Sequence, residues 1–206
     1  MAKSKWKQVV SPKGLAFWAK LKTQEEYKGK PTGKYSMIVK FSKEDTDRLL
    51  AVIEAEYQEL KKTADCFKGV KPAKGSIPNF GTREGKDGDI EFKFTTKAEV
   101  TTKTGEVLKK TVPVFDAKGK HIDVNIGNGS TVRVSFSIAP KYIDSCKYGV
   151  SLYLDAVKVL DLVEFGTSGQ NEQAFGFEEE EGYAADGGEF EPDSGQGRGD
   201  EGETEF

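Results

Sequence analysis

Apolar and polar residues alternate with a period of two over most of the first 165 positions, and a helical period interrupts them once. Residues 14–21 predict a strand with Leu15, Phe17, Ala19 and Leu21 on one face and Ala16, Trp18 and Lys20 on the other. A loop over 24–33 follows, broken by Gly29, Pro31 and Gly33. In residues 34–41, Tyr35, Met37, Val39 and Phe41 form an inner face, with Lys34, Ser36, Ile38 and Lys40 opposite. The spacing of Leu49, Ile53, Tyr57, Leu60, Ala64 and Phe67 then predicts an amphipathic helix over about 43–67. Ser42 caps it, with Asp45 three residues on in a capping-box-like place.

Residues 68–88 read as a long polar, glycine-rich loop carrying Lys71, Lys74, Arg83 and Lys86. Ile90, Phe92, Phe94, Thr96, Ala98 and Val100 alternate with charged or polar neighbours as a half-buried strand. Thr104-Gly105 turns into a partner strand ending near Phe115, and Lys118-Gly119 and Asn128-Gly129 mark further turns. Val132, Val134, Phe136 and Ile138 face inward on the next strand. Val150, Leu152 and Leu154 begin the last, where a slip of the apolar phase predicts a bulge near Ala156-Val157. Five or more strands and one helix predict a mainly β fold, a small closed or nearly closed barrel spanning 1–165. Residues 166–206 have no periodicity and cannot bury enough surface to fold alone, so they predict a disordered tail.

Charge sharpens this division. The formal net charge is −3. The tail holds thirteen acidic residues against the single base Arg198, a balance of −12, and the other 165 residues hold 30 bases and 21 acids, a balance of +9. A basic body with an acidic tail points to a nucleic-acid partner and an interaction tail. Cys66 and Cys146 lack metal-ligand spacing and read as free thiols of a reducing compartment. With His121 the single histidine, no zinc site, and no other cofactor, is expected. No apolar run approaches membrane-spanning length, and the basic stretch 1–7 lacks the apolar continuation of a secretory signal. No phosphate-binding loop or nucleophile motif is present, so an enzyme is not expected.

Several segments, in order, resemble the single-stranded DNA-binding proteins of T-seven-like short-tailed bacteriophages and related phages. They are Phe17-Trp18, Gly33-Lys34-Tyr35, Ile77-Pro78-Asn79-Phe80, Phe92-Lys93-Phe94, Val114-Phe115-Asp116-Ala117-Lys118-Gly119-Lys120 and Ile126-Gly127-Asn128-Gly129-Ser130. The acidic tail closing on Glu205-Phe206 resembles the family's tail closing on Asp-Phe, with glutamate here in place of aspartate. The resemblance implies an OB-fold barrel whose helix follows the second strand. It also implies a tail that recruits replication proteins such as a DNA polymerase or helicase-primase, through Glu203, Glu205 and Phe206. It is compatible with a homodimer, and it places the protein in the host cell cytoplasm, in DNA replication, recombination and repair.

A general binder of single strands needs cations for phosphates and exposed rings for bases. Lys20, Lys34, Lys40, Arg83, Lys93, Lys97 and Lys141 are the expected cations of the groove, and Trp18, Tyr142 and Tyr148 its expected rings. Trp18 stands opposite its strand's apolar face, where it either stacks on a base or covers a flanking element. Phe17, Phe92, Phe94, Phe115 and Phe136 share faces with aliphatic residues and are expected in the core. The tethered polyanion is expected to compete with DNA for the groove. Rival readings are an acidic-tailed interaction module or DNA mimic without nucleic-acid affinity, a metal-dependent nuclease, and an RNA binder using the same groove.

Overall fold

The structure is a computed structural model that describes residues 6–101 and 105–163. The chain opens with β1 (Gln8–Val10) and β2 (Gly14–Lys20), then the short pair β3 (Glu26–Tyr27) and β4 (Lys30–Pro31), then β5 (Lys34–Lys40). Helix α1 (Lys43–Thr63) and a 3-10 turn (Asp65–Phe67) follow. Next come β6 (Thr82–Glu84), β7 (Ile90–Lys97), β8 (Glu99–Thr101), β9 (Val107–Lys109) and β10 (Val114–Phe115). The chain then forms the two long strands β11 (Thr131–Asp144) and β12 (Lys147–Asp161).

Hydrogen bonding runs β11-β2-β5-β7-β12 and returns to β11 through the β11–β12 pairing, so five strands form a ring. All of its pairings are antiparallel except β7–β12, which is parallel. This is a five-stranded OB barrel, with α1 between its second and third strands, as the resemblance implied. Inside lie Met37, Val39, Phe92, Phe94, Val132, Val134, Phe136, Ile138, Leu152 and Leu154, all essentially inaccessible. The Phe94 and Phe136 rings meet at 5.1 Å. Phe17 and Phe115, expected in the core, are half-buried at its margin.

Helix α1 keeps the predicted stripe inward: Leu49, Ile53, Tyr57, Leu60, Ala64 and Phe67 are all buried. The regular helix stops at Thr63, and the 3-10 turn delivers Phe67 edge-on to Tyr57 at 5.8 Å. Ser42 Oγ accepts from the Asp45 amide, completing the expected N-cap.

Three expectations differ in detail. Ala16, not Leu15, points inside β2; Leu15 is largely exposed. A register shift between Phe17 and Lys20 moves the phase, so Leu21 is buried again. The partner strand expected to run from Gly105 to Phe115 is two pieces. β9 folds back on β8, while β10 lies parallel to β12. The bulge expected near Ala156-Val157 sits one residue earlier, between Leu154 and Ala156 in the β11–β12 register.

The 68–88 segment is tied down more firmly than its composition suggests. Phe80 meets the Tyr57 ring at 5.6 Å. Asn79 bridges to the long ribbon, its amide donating to the Tyr148 carbonyl at 2.9 Å and its carbonyl accepting from the Val150 amide at 2.8 Å. Gly149, at φ +136°, makes this approach feasible, because a Cβ there would lie 2.0 Å from the Asn79 carbonyl oxygen. Gly149→Ala is therefore expected to destabilise the fold by about 2–4 kcal/mol, combining backbone strain with overpacking, as read by urea unfolding. The boundary expected at residue 165 and the tail 166–206, with Glu203, Glu205 and Phe206, lie outside the described residues.

Candidate functional site

The outer face of β5 and β7 is built by alternation. Register pairs Lys34 with Lys97, Ser36 with Thr95, Ile38 with Lys93 and Lys40 with Glu91, so all eight side chains stand on one sheet face. A cleft of about 550 Å³ opens over this face, with Trp18, Lys20, Ser36, Ile38, Arg83 and Lys93 among its walls. It continues through Glu25, Arg83 and Lys93 into a neighbouring hollow of about 390 Å³, which reaches Lys34, Thr95, Pro140 and Lys141. The sheet thus brings together six of the expected site residues: Trp18, Lys20, Lys34, Arg83, Lys93 and Lys141. Lys97 adjoins them through its register partner Lys34.

Trp18 owes its position to the irregularity in β2. Its backbone takes φ +52°, a left-handed value that bulky side chains avoid, and the ring is 63% exposed. The Ile126-Gly127-Asn128-Gly129-Ser130 turn holds this strain in place. The Trp18 amide donates to Asn128 Oδ1 at 2.8 Å, the Gly129 amide donates to the Ala16 carbonyl, and the Ala16 amide donates to the Ser130 carbonyl. A strained backbone that presents a large ring to solvent is a feature found at binding sites.

The cations fall into two groups. Lys40, Arg83 and Lys93 are neutralised by the protein's own carboxylates. Glu91, only 7% exposed, receives Arg83 at 2.7 Å and Lys40 at 3.4 Å, and Asp87 lies 3.6 Å from Lys40. Desolvation pulls the Lys40 ammonium down, but Glu91 and Asp87 outweigh it and hold the group above the ordinary lysine value. Lys93 is paired with Glu25 of the loop before β3. Lys20, Lys34, Lys97 and Lys141 have no ion pair among the described residues. Lys34 and Lys97 are moreover direct cross-strand neighbours, a like-charge juxtaposition that costs stability unless an anion lies over it.

Two expected residues are corrected. Tyr148 is only 6% exposed, and its hydroxyl donates to the Ser76 carbonyl at 3.0 Å, so its ring belongs to the core and offers no face to a ligand. Lys40 stands outside the cleft walls, engaged by two acids and lying over the Phe17 ring at 5.6 Å. Tyr142 is 37% exposed near the end of the long ribbon. It stands opposite Tyr148 in the register and is not among the residues that line either hollow.

Sequence reasoning missed Glu25, Glu91 and Asn128. Glu91 read as one more outward polar residue, and only the fold shows it buried between two cations. Glu25 is expected to act as a built-in competitor for Lys93. Glu25→Gln should tighten binding of a polyanionic strand by about three- to tenfold at low salt, one phosphate contact's worth, measured by anisotropy with a labelled oligonucleotide.

Comparisons with known proteins bear on family and fold. The family described as single-stranded DNA-binding protein, bacteriophage T7, matches residues 17–162. The single-stranded DNA-binding protein of enterobacteria phage T3 is 34% identical over 111 residues, which are 52% of this chain and 47% of that protein. The chain therefore spans about half the length of this curated relative. The crystal structure of gp2.5, a single-stranded DNA-binding protein encoded by bacteriophage T7, is similar at a TM-score of 0.64 and 27% identity, covering 88% of this chain and 100% of that one. The single-stranded DNA-binding protein from bacteriophage Enc34, solved in complex with single-stranded DNA, has a TM-score of 0.53 at 11% identity, covering 77% of this chain and 89% of its own. At that identity the likeness is one of fold.

Proposed function

Because the chain belongs to the bacteriophage T7 family of single-stranded DNA-binding proteins, we propose that it coats and protects single-stranded DNA without sequence preference. The observation that carries this reading is the pairing of an exposed, strained Trp18 with four lysines, Lys20, Lys34, Lys97 and Lys141, that have no acid partner among the described residues. Each lysine that meets a phosphate releases a condensed counterion, so affinity depends steeply on salt. Each base that meets a ring gains about 1–3 kcal/mol whatever its identity, because every base has a π-face. The protein supplies binding and no chemical step. It would act in the host cytoplasm during replication, recombination and repair of phage DNA.

The acidic tail adds regulation to this reading. Thirteen acids tethered to a basic barrel compete with DNA at high local concentration, and DNA would release them for replication proteins. Phe206, beside Glu203 and Glu205, offers an aromatic anchor among acids that suits a pocket on such a partner. Deleting residues 166–206 is expected to tighten oligo-dT binding at low salt and to abolish capture of the phage polymerase or helicase-primase. Unchanged affinity would remove the self-competition, and a barrel that binds no oligonucleotide would favour the DNA-mimic alternative.

A further inference from the structure

A second, smaller cavity of about 250 Å³ shares Lys20 and Thr23 with the large cleft. Four of its eight lining residues are apolar. Leu21 and Ile126 are buried in its walls, and Ala19 and Val124, half-buried against the barrel core, complete them. Its remaining walls are polar: Lys20, Lys22, Thr23 and Asn125. An apolar hollow with a few polar groups at its edge is the form of a small-ligand site.

Two further observations say what enters it. Lys22 is held by Asp123 at 2.8 Å, whereas Lys20 has no acid partner among the described residues, so one unneutralised ammonium belongs to the cavity walls. Asn125 is exposed and its side-chain amide makes no hydrogen bond among the described residues, leaving a donor and an acceptor unused. Its neighbour Asn128 by contrast spends its carbonyl on the Trp18 amide. A strand leaving the cleft past Trp18 would thus meet Lys20 for a phosphate, an apolar wall for a ring, and an amide for that ring's edge.

We propose that this cavity is a nucleobase pocket, taking one flipped base of the bound strand and hydrogen-bonding its edge through Asn125. The inference rests on the reading of the cleft as a single-strand groove, which it extends by one nucleotide beyond Trp18. Unlike a stacking platform, an amide at a base edge distinguishes among bases. The pocket therefore gives an otherwise indifferent groove a mild base preference.

The test uses full-length protein and oligo-dT carrying 4-thiothymidine, cross-linked by light and mapped by mass spectrometry. Adducts are expected on residues 122–128 as well as on β5 and β7. Val124→Phe fills the hollow and should remove the 122–128 adducts. Asn125→Ala, at an exposed site that leaves folding intact, should weaken oligo-dT binding about fivefold, one base's share, while leaving an abasic oligonucleotide unaffected. Wild-type affinity in both variants, with adducts confined to the cleft, would overturn the pocket. If the wild-type protein binds no oligonucleotide at all, the groove reading itself fails.

Discussion

Replacing Lys34, Lys97 and Lys141 together by glutamine is expected to weaken oligo-dT binding about a thousandfold at roughly 50 mM salt, and only about eightfold at roughly 500 mM. The figures follow from counterion release. Each phosphate contact to a single strand contributes a slope of about −0.7 in log affinity against log salt, or about tenfold in affinity at 50 mM. The plot for the triple variant should accordingly flatten by about two units. A loss that did not shrink with salt would mean that the lysines act on the fold, not on phosphates. Folding stability supplies the internal control. Lys34 and Lys97 face each other directly without an acid between them, so removing their charges should leave stability unchanged or raise it by a few tenths of a kcal/mol. Tighter folding with weaker binding is the signature of charges kept for a ligand.

Trp18→Ala is the second large effect. Loss of one stacking ring is expected to cost about 1–3 kcal/mol of binding, a five- to 150-fold weakening that persists at high salt because it is not electrostatic. The protein should remain folded, since the ring is mostly exposed and alanine can occupy the same left-handed backbone only somewhat less comfortably than glycine. Asn128→Ala, which frees the Trp18 amide while sparing the ring, should give an intermediate loss of affinity. Full binding by Trp18→Ala at all salt concentrations would assign the ring to another role.

Much of this fold could be read from hydrophobic periodicity because most of its strands bury one face only. Phe92 and Phe94, Val132 through Ile138, and the helix stripe from Leu49 to Phe67 lie where their spacing placed them. The reading went astray where a local irregularity resets the phase. In β2 the left-handed Trp18 inserts into the alternation, so Leu15 faces solvent and Ala16 the core. Short strands of two or three residues, such as β3, β4 and β6, are too brief to show any period.

The site was legible in kind more than in detail. Lysines on the polar face of β5 and β7 followed from alternation, and the structure gathers them. Their partners did not follow, because Glu25 reaches Lys93 from a loop 68 positions earlier in the chain, and Glu91 serves Lys40 and Arg83 at once. Tyr148 failed for a related reason. An aromatic next to a lysine in sequence says nothing about which face of the ribbon it occupies, and the Tyr148 ring is buried with its hydroxyl on the Ser76 carbonyl.

The most direct measurement is the emission of Trp18 in a Trp6→Phe protein lacking residues 166–206, titrated with oligo-dT across a salt series. Saturable quenching is predicted, with log affinity falling against log salt at a slope near −3, the value for about four phosphate contacts from Lys20, Lys34, Lys97 and Lys141. Unaltered emission with no association in the most dilute buffer, or an affinity indifferent to salt, would contradict the account.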